Sequence, residues 1–316
     1  MTDPKHTAAV ERVWALILAG DPRAMLESQL SPTDLQTLLL AATRRRATAV
    51  TPARLMRRWH EDRYVQPAAS DPRAVSRLEA RIWDLLPQTF AAIDLSPVTP
   101  LGTCSALALV DQHWVISTIR GSEVVSDPTN VLALEAARRR ADTREDPVHL
   151  ASCHRVIRGQ PFHGQGEFQH FRLFALVSSG RDHGSRSTEA AMLTSHLAVW
   201  GNILSQLLPT HEINVEFTTF DSAPLAERIQ DTVLPSLQPL PPRVTVDEDP
   251  QRERARSYYR GAAIRIDIGD GDAGLEVGDG GFTDWTAQLL GDAKERCLIS
   301  CVATERLVTL AVTRAP

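Results

Sequence analysis

The residues with the most chemical potential in this chain are separated arginines, one aromatic ring and one short acidic motif. Arg155 follows an apolar approach, HLASCH, and a Gly- and Gln-rich loop runs from Gly159 to Gly166. Glu167, Phe168 and His170 then precede an alternating return, Phe171–Val177. A guanidinium grips a phosphate or carboxylate through parallel hydrogen bonds, and a phenyl ring stacks on a base or a cation. Asp127-Pro128-Thr129 places a carboxylate at the head of a helical run. There it can cap the helix or pair with an ammonium, and both uses stay open. Arg260 in YYRGAAIR and Arg306 in CVATERL complete the set. The plainer alternative for Arg155 is a solvated residue in an exposed hairpin, and from that segment alone it is the commoner outcome.

These residues need elements to hold them. His149–Ser178 reads as two antiparallel strands joined by a loop of about eight residues, too long for a tight turn and supplied with glycines that let backbone approach a ligand. Residues 8–65 read as helical, with Val10, Val13, Trp14, Ile17 and Leu18 on one face. Ser31-Pro32 and Thr51-Pro52 start two further helices. Arg44–Arg46 and Arg57-Arg58 make this unit basic, which fits an acidic partner but fits a solvated helix surface better. Gln66–Pro72 reads as a linker, and Arg73–Leu86 as an amphipathic helix. Strands are predicted at Ala106–Val110, Trp114–Thr118 and Glu123–Ser126, then a helix from Asp127 to Arg140. After the hairpin come an apolar helix (Thr188–Leu208), a strand (Glu212–Thr219) and a Pro-rich excursion (Leu234–Arg243). Further strands are predicted at Tyr258–Ile268, Leu275–Val277 and Cys297–Thr304, with short helices at Asp284–Leu290 and Glu305–Leu310. The order predicts an α+β fold in two parts: a helical unit over 1–66 and a larger domain over 67–316.

Composition bounds the answer. The chain has 316 residues, 43% hydrophobic and 23% charged, with a formal net charge of −5. That gives no overall nucleic-acid footprint. Four cysteines in so long a chain do not form a disulfide framework. No signal sequence opens the chain and no apolar run is long enough to span a bilayer, so a cytoplasmic protein with reduced thiols and no membrane partner is expected. Cys297 and Cys301 lie four apart with no histidine cluster beside them, so no metal site is expected. Cys153-His154 sits in an apolar strand approach, where thiols are usually inert. The Asp/Gly-rich stretch Asp267–Gly281 lacks calcium-loop spacing and reads as a hairpin turn.

Taken in order, these segments resemble the catalytic core of class II aminoacyl-tRNA synthetases, and within that class the histidyl-tRNA synthetases and their paralogues. The resemblance covers roughly Arg73 to Leu310. The helix Arg73–Leu86 and the strand ending near Pro97 resemble motif 1, which implies a homodimer. Ser117–Thr129 resembles the segment in which the family carries LRPE-T; Asp127 falls where its glutamate holds an α-amino group, and Thr129 on its threonine. His149–Ser178 resembles motif 2, with Arg155 on the arginine that contacts the ATP α-phosphate, Phe168 on the ring that stacks on adenine, and His170 near a position that holds the amino acid. Tyr258–Arg265 resembles RGLDYYTG, with Arg260 on the arginine at the reacting carboxylate. Arg265 stands where the family has an aromatic residue, which suits an anionic group, or it is an outward-facing strand residue. Gly280–Asp284 resembles GGRYD. Cys301–Leu307 resembles motif 3, with Arg306 on the arginine that packs over adenine.

The resemblance therefore implies a class II synthetase-like antiparallel sheet flanked by helices, using ATP and Mg²⁺ to activate an amino acid or other carboxylate as an adenylate. Catalytic roles fall to Arg155 and Arg260, nucleotide binding to Arg155, Phe168 and Arg306, and substrate binding to Asp127, Thr129, His170 and Arg265. Several departures point the other way. Ile157 replaces a glutamate, Ala263 an aspartate, Phe282 an arginine, and Ala303 a glycine near the nucleotide. The helical insertion is reduced to the Pro-rich stretch. The sequence ends at Pro316, just after motif 3, so no anticodon-binding domain and no tRNA decoding are expected. The alternative is a catalytically silent ligand-binding paralogue resembling the ATP phosphoribosyltransferase regulatory subunit. An RNA-binding module built on the basic N-terminal helices ranks third.

Overall fold

The structure is a computed structural model that describes residues 4–143, 146–161, 168–220, 222–252, 255–269 and 274–312. The loop residues from 162 to 167, Glu167 among them, lie outside the described residues.

Ten strands are described: β1 (Ala91–Ala92), β2 (Val98–Pro100), β3 (Ser122–Val124), β4 (Val148–Ile157), β5 (His170–Arg181), β6 (Ile213–Thr219), β7 (Val244–Glu248), β8 (Ala262–Ile268), β9 (Leu275–Thr283) and β10 (Glu295–Ala303). Eight form one sheet in the order β1-β4-β5-β10-β9-β8-β6-β7, and β2 pairs with β3. The six central strands are antiparallel, while β1 and β7 join the two edges in parallel. The fold is α+β.

The central strands are apolar on both faces because helices cover both. On one face the helices Pro72–Leu85, Ser187–Leu207 and Thr304–Val312 bury Ile82, Trp200, Ile203 and Leu307 against Ala151, Phe174 and Leu176. On the other, the helix Pro128–Asp142 lays Leu132, Ala133 and Ala136 on Leu150, Ala175 and Val177. Neighbouring strand residues thus serve opposite cores, as period-two alternation requires. The N-terminal helices Pro4–Ala19 and Pro32–Thr48 meet through a third, small cluster of Val13, Ile17 and Leu38.

Two local features fix the central strands. Glycine is required in β9, because a Cβ at Gly280 would stand 2.5 Å from the Ile299 carbonyl oxygen and one at Gly281 2.5 Å from the Tyr259 ring. Arg140, fully buried at the end of its helix, bonds both oxygens of buried Glu295 on β10, at 3.1 and 2.8 Å.

The structure corrects three sequence expectations. Ala106–Val110, predicted as a strand, is the end of a helix (Thr103–Leu107) and a turn; Trp114–Thr118 contributes only a 3₁₀ turn (Gln112–Trp114) and a single bridge from Ser117 to Glu123. The cause is distant in sequence. The Glu123 carboxylate accepts the backbone N–H of Gly102 at 2.8 Å and of Cys104 at 2.9 Å, capping that helix, while Gly102 turns the chain at φ +89°. The Asp267–Gly281 stretch is not mainly turn: β9 runs from Leu275 through its glycines to Thr283. The end of the Pro-rich excursion leads into an unpredicted strand, β7.

Candidate functional site

A cleft of about 800 Å³ lies between the start of the helix Pro128–Asp142, the hairpin, β9 and the start of the helix Thr304–Val312, a size within the roughly 300–1,000 Å³ range of small-molecule sites. Its aromatic lining is Trp114, Phe168, Phe171, Tyr258 and Tyr259. Among the described residues, two arginines (Arg158, Arg306) and four carboxylates (Asp127, Glu276, Asp279, Glu305) also line it.

Arg158 follows directly on β4. Its Nε donates to the Ser126 carbonyl at 3.1 Å, its Nη2 lies 3.5 Å from Asp127 Oδ2, and its guanidinium carbon sits 5.2 Å over the Phe171 ring. Asp127 caps its helix: Oδ1 accepts the Thr129 N–H at 2.9 Å and the Thr129 hydroxyl at 2.7 Å. One turn on, Asn130 is buried against the cleft, and its Oδ1 has no hydrogen-bond partner among the described residues. On the far wall Arg306 Nη1 donates to the Glu276 carbonyl at 2.6 Å. Asp279 bonds Arg252 at 3.0 Å and its neighbour's N–H at Gly280 at 2.8 Å.

Several titratable groups in the walls are buried. Burial raises the Asp279 carboxyl above the usual carboxylate range, opposed by Arg252. Burial likewise raises the Tyr258 and Tyr259 phenols and the Cys104 and Cys301 thiols. Low local polarizability strengthens any charge contact formed inside. The four cysteines are free.

Of the residues singled out from sequence, Asp127, Phe168 and Arg306 line the cleft. Thr129 is buried beneath Asp127 as its hydrogen-bond donor. Arg155 is not a cleft residue. It pairs across the hairpin with Arg172 and bonds Glu305 Oε1 and His170 Nδ1, each at 2.9 Å. His170 in turn reaches the Gln66 carbonyl at 2.6 Å. Arg260 is exposed, meets Asp284 at 3.4 Å and is not among the residues that line the cleft. Arg265 lies among Glu216, Asp267 and Glu276, on the strand face opposite Ile264 and Ile266. Sequence reading passed over Arg158, Phe171, Asn130 and the tyrosine pair. The available signal was parity: Leu150 and Val156 share the cleft-side core faces, and Arg158 continues that even-numbered series.

No cluster of three or more His, Cys, Asp or Glu side chains that could hold a metal exists among the described residues. Mg²⁺ commonly arrives on phosphates with one or two carboxylates as protein ligands, and Glu276 or Glu305 could supply one.

The eight-stranded mixed sheet with flanking helices is similar in fold to the catalytic cores of class II aminoacyl-tRNA synthetases. The likeness extends to histidyl-tRNA synthetase of S. aureus, at TM-score 0.55 and 14% identity over 75% of this chain. It extends also to an ATP phosphoribosyltransferase regulatory subunit/histidyl-tRNA synthetase from Bacillus halodurans, at TM-score 0.54 and 12% identity, covering 78% of this chain and 83% of that one. The RNA binding domain of threonyl-tRNA synthetase from Cryptosporidium parvum matches at TM-score 0.56 and 10% identity over 75% of this chain. This chain spans 64% of the S. aureus and of the Cryptosporidium chain. No protein-family model and no curated protein sequence matches it. No helix among the described residues is long and apolar enough to cross a membrane.

Proposed function

We propose that this chain is a histidyl-tRNA synthetase-like paralogue whose cleft binds ATP with Mg²⁺ and activates an amino acid or other carboxylate as an adenylate. The observation that carries the reading is the entry of two guanidiniums, Arg158 and Arg306, into one aromatic-lined cleft from separate walls. Arg158 takes the phosphate role expected of Arg155. It is preorganised by the Ser126 carbonyl and the Asp127 carboxylate, and positioned cations are what a transferring phosphoryl group needs. Phe168 and Phe171 offer rings to the base, and the Asp127 carboxylate, shared between Thr129 and Arg158, together with the unpartnered Asn130 oxygen offers acceptors to the substrate's ammonium. ATP supplies the activated phosphorus that the carboxylate attacks, with pyrophosphate leaving. The protein's part is to bind, orient and stabilise charge. Homodimerisation through the Pro72–Leu85 helix belongs to this reading, as does a cytoplasmic setting.

A second reading, a catalytically silent ligand-binding paralogue, is favoured by one specific observation. Arg260, the arginine expected at the reacting carboxylate, pairs with Asp284 and is not among the residues that line the cleft.

Calorimetry with ATP and Mg²⁺ on wild type and Arg306→Ala tests binding, with weakened binding expected in the variant. Absence of binding by wild type would sink both nucleotide roles. Pyrophosphate exchange across a panel of amino acids and other carboxylates then separates the two readings: exchange with any member supports the enzyme, and silence across the panel supports the regulator.

A further inference from the structure

The linker between the N-terminal helices and the core lies against the cleft. Its Ala69 and Ser70 form part of the cleft wall. Upstream, Arg63 Nη2 and Tyr64 Oη both donate to the Gly159 carbonyl, at 2.8 and 3.0 Å. Gly159 is also held from the other side, where its N–H donates to the Trp114 carbonyl at 2.7 Å. Further along, the Gln66 carbonyl accepts from His170 Nε2 at 2.6 Å. The Gln66 side chain donates back to the Trp59 carbonyl in the helix Pro52–Glu61. The linker therefore grips both roots of the hairpin loop, at residues 159 and 170.

His170 extends this grip toward the ligand. A neutral ring that gives its Nε2 proton to a carbonyl presents Nδ1 as an acceptor, and Arg155 Nη1 stands 2.9 Å from it. Arg155 Nη2 reaches Glu305 Oε1 at 2.9 Å. Glu305 lines the cleft next to Arg306. A continuous polar chain, Glu305 to Arg155 to His170 to the Gln66 carbonyl, joins cleft wall to linker. None of residues 62–70 is buried, so hydrogen bonds rather than a core hold the segment. Such segments open at low cost.

We propose that residues 62–70 are a gating strap. They wall the cleft, and Arg155 and His170 act as positioning residues that tie the strap to Glu305. A ligand that engages the Glu305–Arg306 wall shifts the strap and, through Gln66, the N-terminal helices. The inference extends the cleft reading above and gives the helical unit a task in it, while leaving the ligand's identity open.

Hydrogen exchange on the full chain tests this. Glu305→Gln keeps the size and removes the charge that holds Arg155. The strap amides should then exchange about three- to tenfold faster than in wild type, and His170→Ala should do the same. Asp292→Asn, which breaks the pair with Arg181 elsewhere on the sheet, should leave them unchanged. A strap that exchanges at the wild-type rate in Glu305→Gln overturns the proposal, as does equal acceleration in Asp292→Asn. Should Glu305→Gln fail to fold, Arg155→Lys carries the same test, because an ammonium cannot reproduce the fork that spans His170 and Glu305. No nucleotide is used, so failure of ATP to bind leaves this result interpretable.

Discussion

The Arg158 guanidinium lies over the Phe171 ring at 5.2 Å, inside the cleft wall. The pair brings a guanidinium and an aromatic ring together at the foot of one hairpin, the two groups that the proposed nucleotide site needs. Phe171→Leu keeps the apolar volume and removes the π face. Base–aromatic stacking contributes about 1–3 kcal/mol, so affinity for ATP with Mg²⁺ should fall about fivefold or more by calorimetry. Unchanged affinity would leave Phe168 as the platform.

Arg140 and Glu295 form a buried pair that ties the helix Pro128–Asp142 to β10. Arg140→Met strands a carboxylate away from water, which should lower unfolding free energy by about 3–5 kcal/mol in urea titration. Replacing both partners with apolar residues should recover much of that loss, because the uncompensated charge and not the missing contact carries the cost.

His196 is fully buried between the Ser178 and Ser300 hydroxyls, each at 2.8 Å, and burial holds its imidazole down at about 3. The unfolded chain takes up this proton near pH 6.5 and the folded chain only near 3. The histidine's contribution to stability is therefore present above about pH 6.5 and is lost as pH falls towards the folded value. Nearby His149, also lowered by burial, adds in the same direction. His196→Gln should flatten the fall in stability between neutrality and pH 4, measured by urea titration at each pH.

Gly281→Ala places a methyl 2.5 Å from a Tyr259 ring atom. Overpacking of this kind costs about 1–3 kcal/mol, and here the ring that must yield forms the cleft wall. A lower thermal midpoint together with altered ligand affinity is expected. A stability loss with affinity untouched would separate Tyr259 from the ligand.

Much of the fold was legible because long apolar helices and alternating strands carry their own period. The α+β order, the hairpin and the helix beginning at Asp127-Pro128 follow from local pattern. Ala106–Val110 misled because its helix is capped by Glu123, whose carboxylate arrives from a later strand. The site was legible in part. Asp127, Phe168 and Arg306 line the cleft, yet Arg155 and Arg158 look equally good in sequence. Both faces of β4 are buried, so composition alone does not say which one borders the cleft. Parity puts the two arginines on opposite faces of the strand, and the positions of Pro128–Asp142 and Ser187–Leu207 show which face borders the cleft.

The central claim, that the cleft takes ATP through Arg158, is tested most directly by calorimetric titration of ATP with Mg²⁺ into wild type, Arg158→Ala and Arg260→Ala. The account predicts binding by wild type, a loss of about tenfold or more in Arg158→Ala, and affinity within about twofold of wild type in Arg260→Ala, whose side chain lies outside the cleft lining. No heat of binding from folded wild type, or equal affinity in wild type and Arg158→Ala, would contradict it.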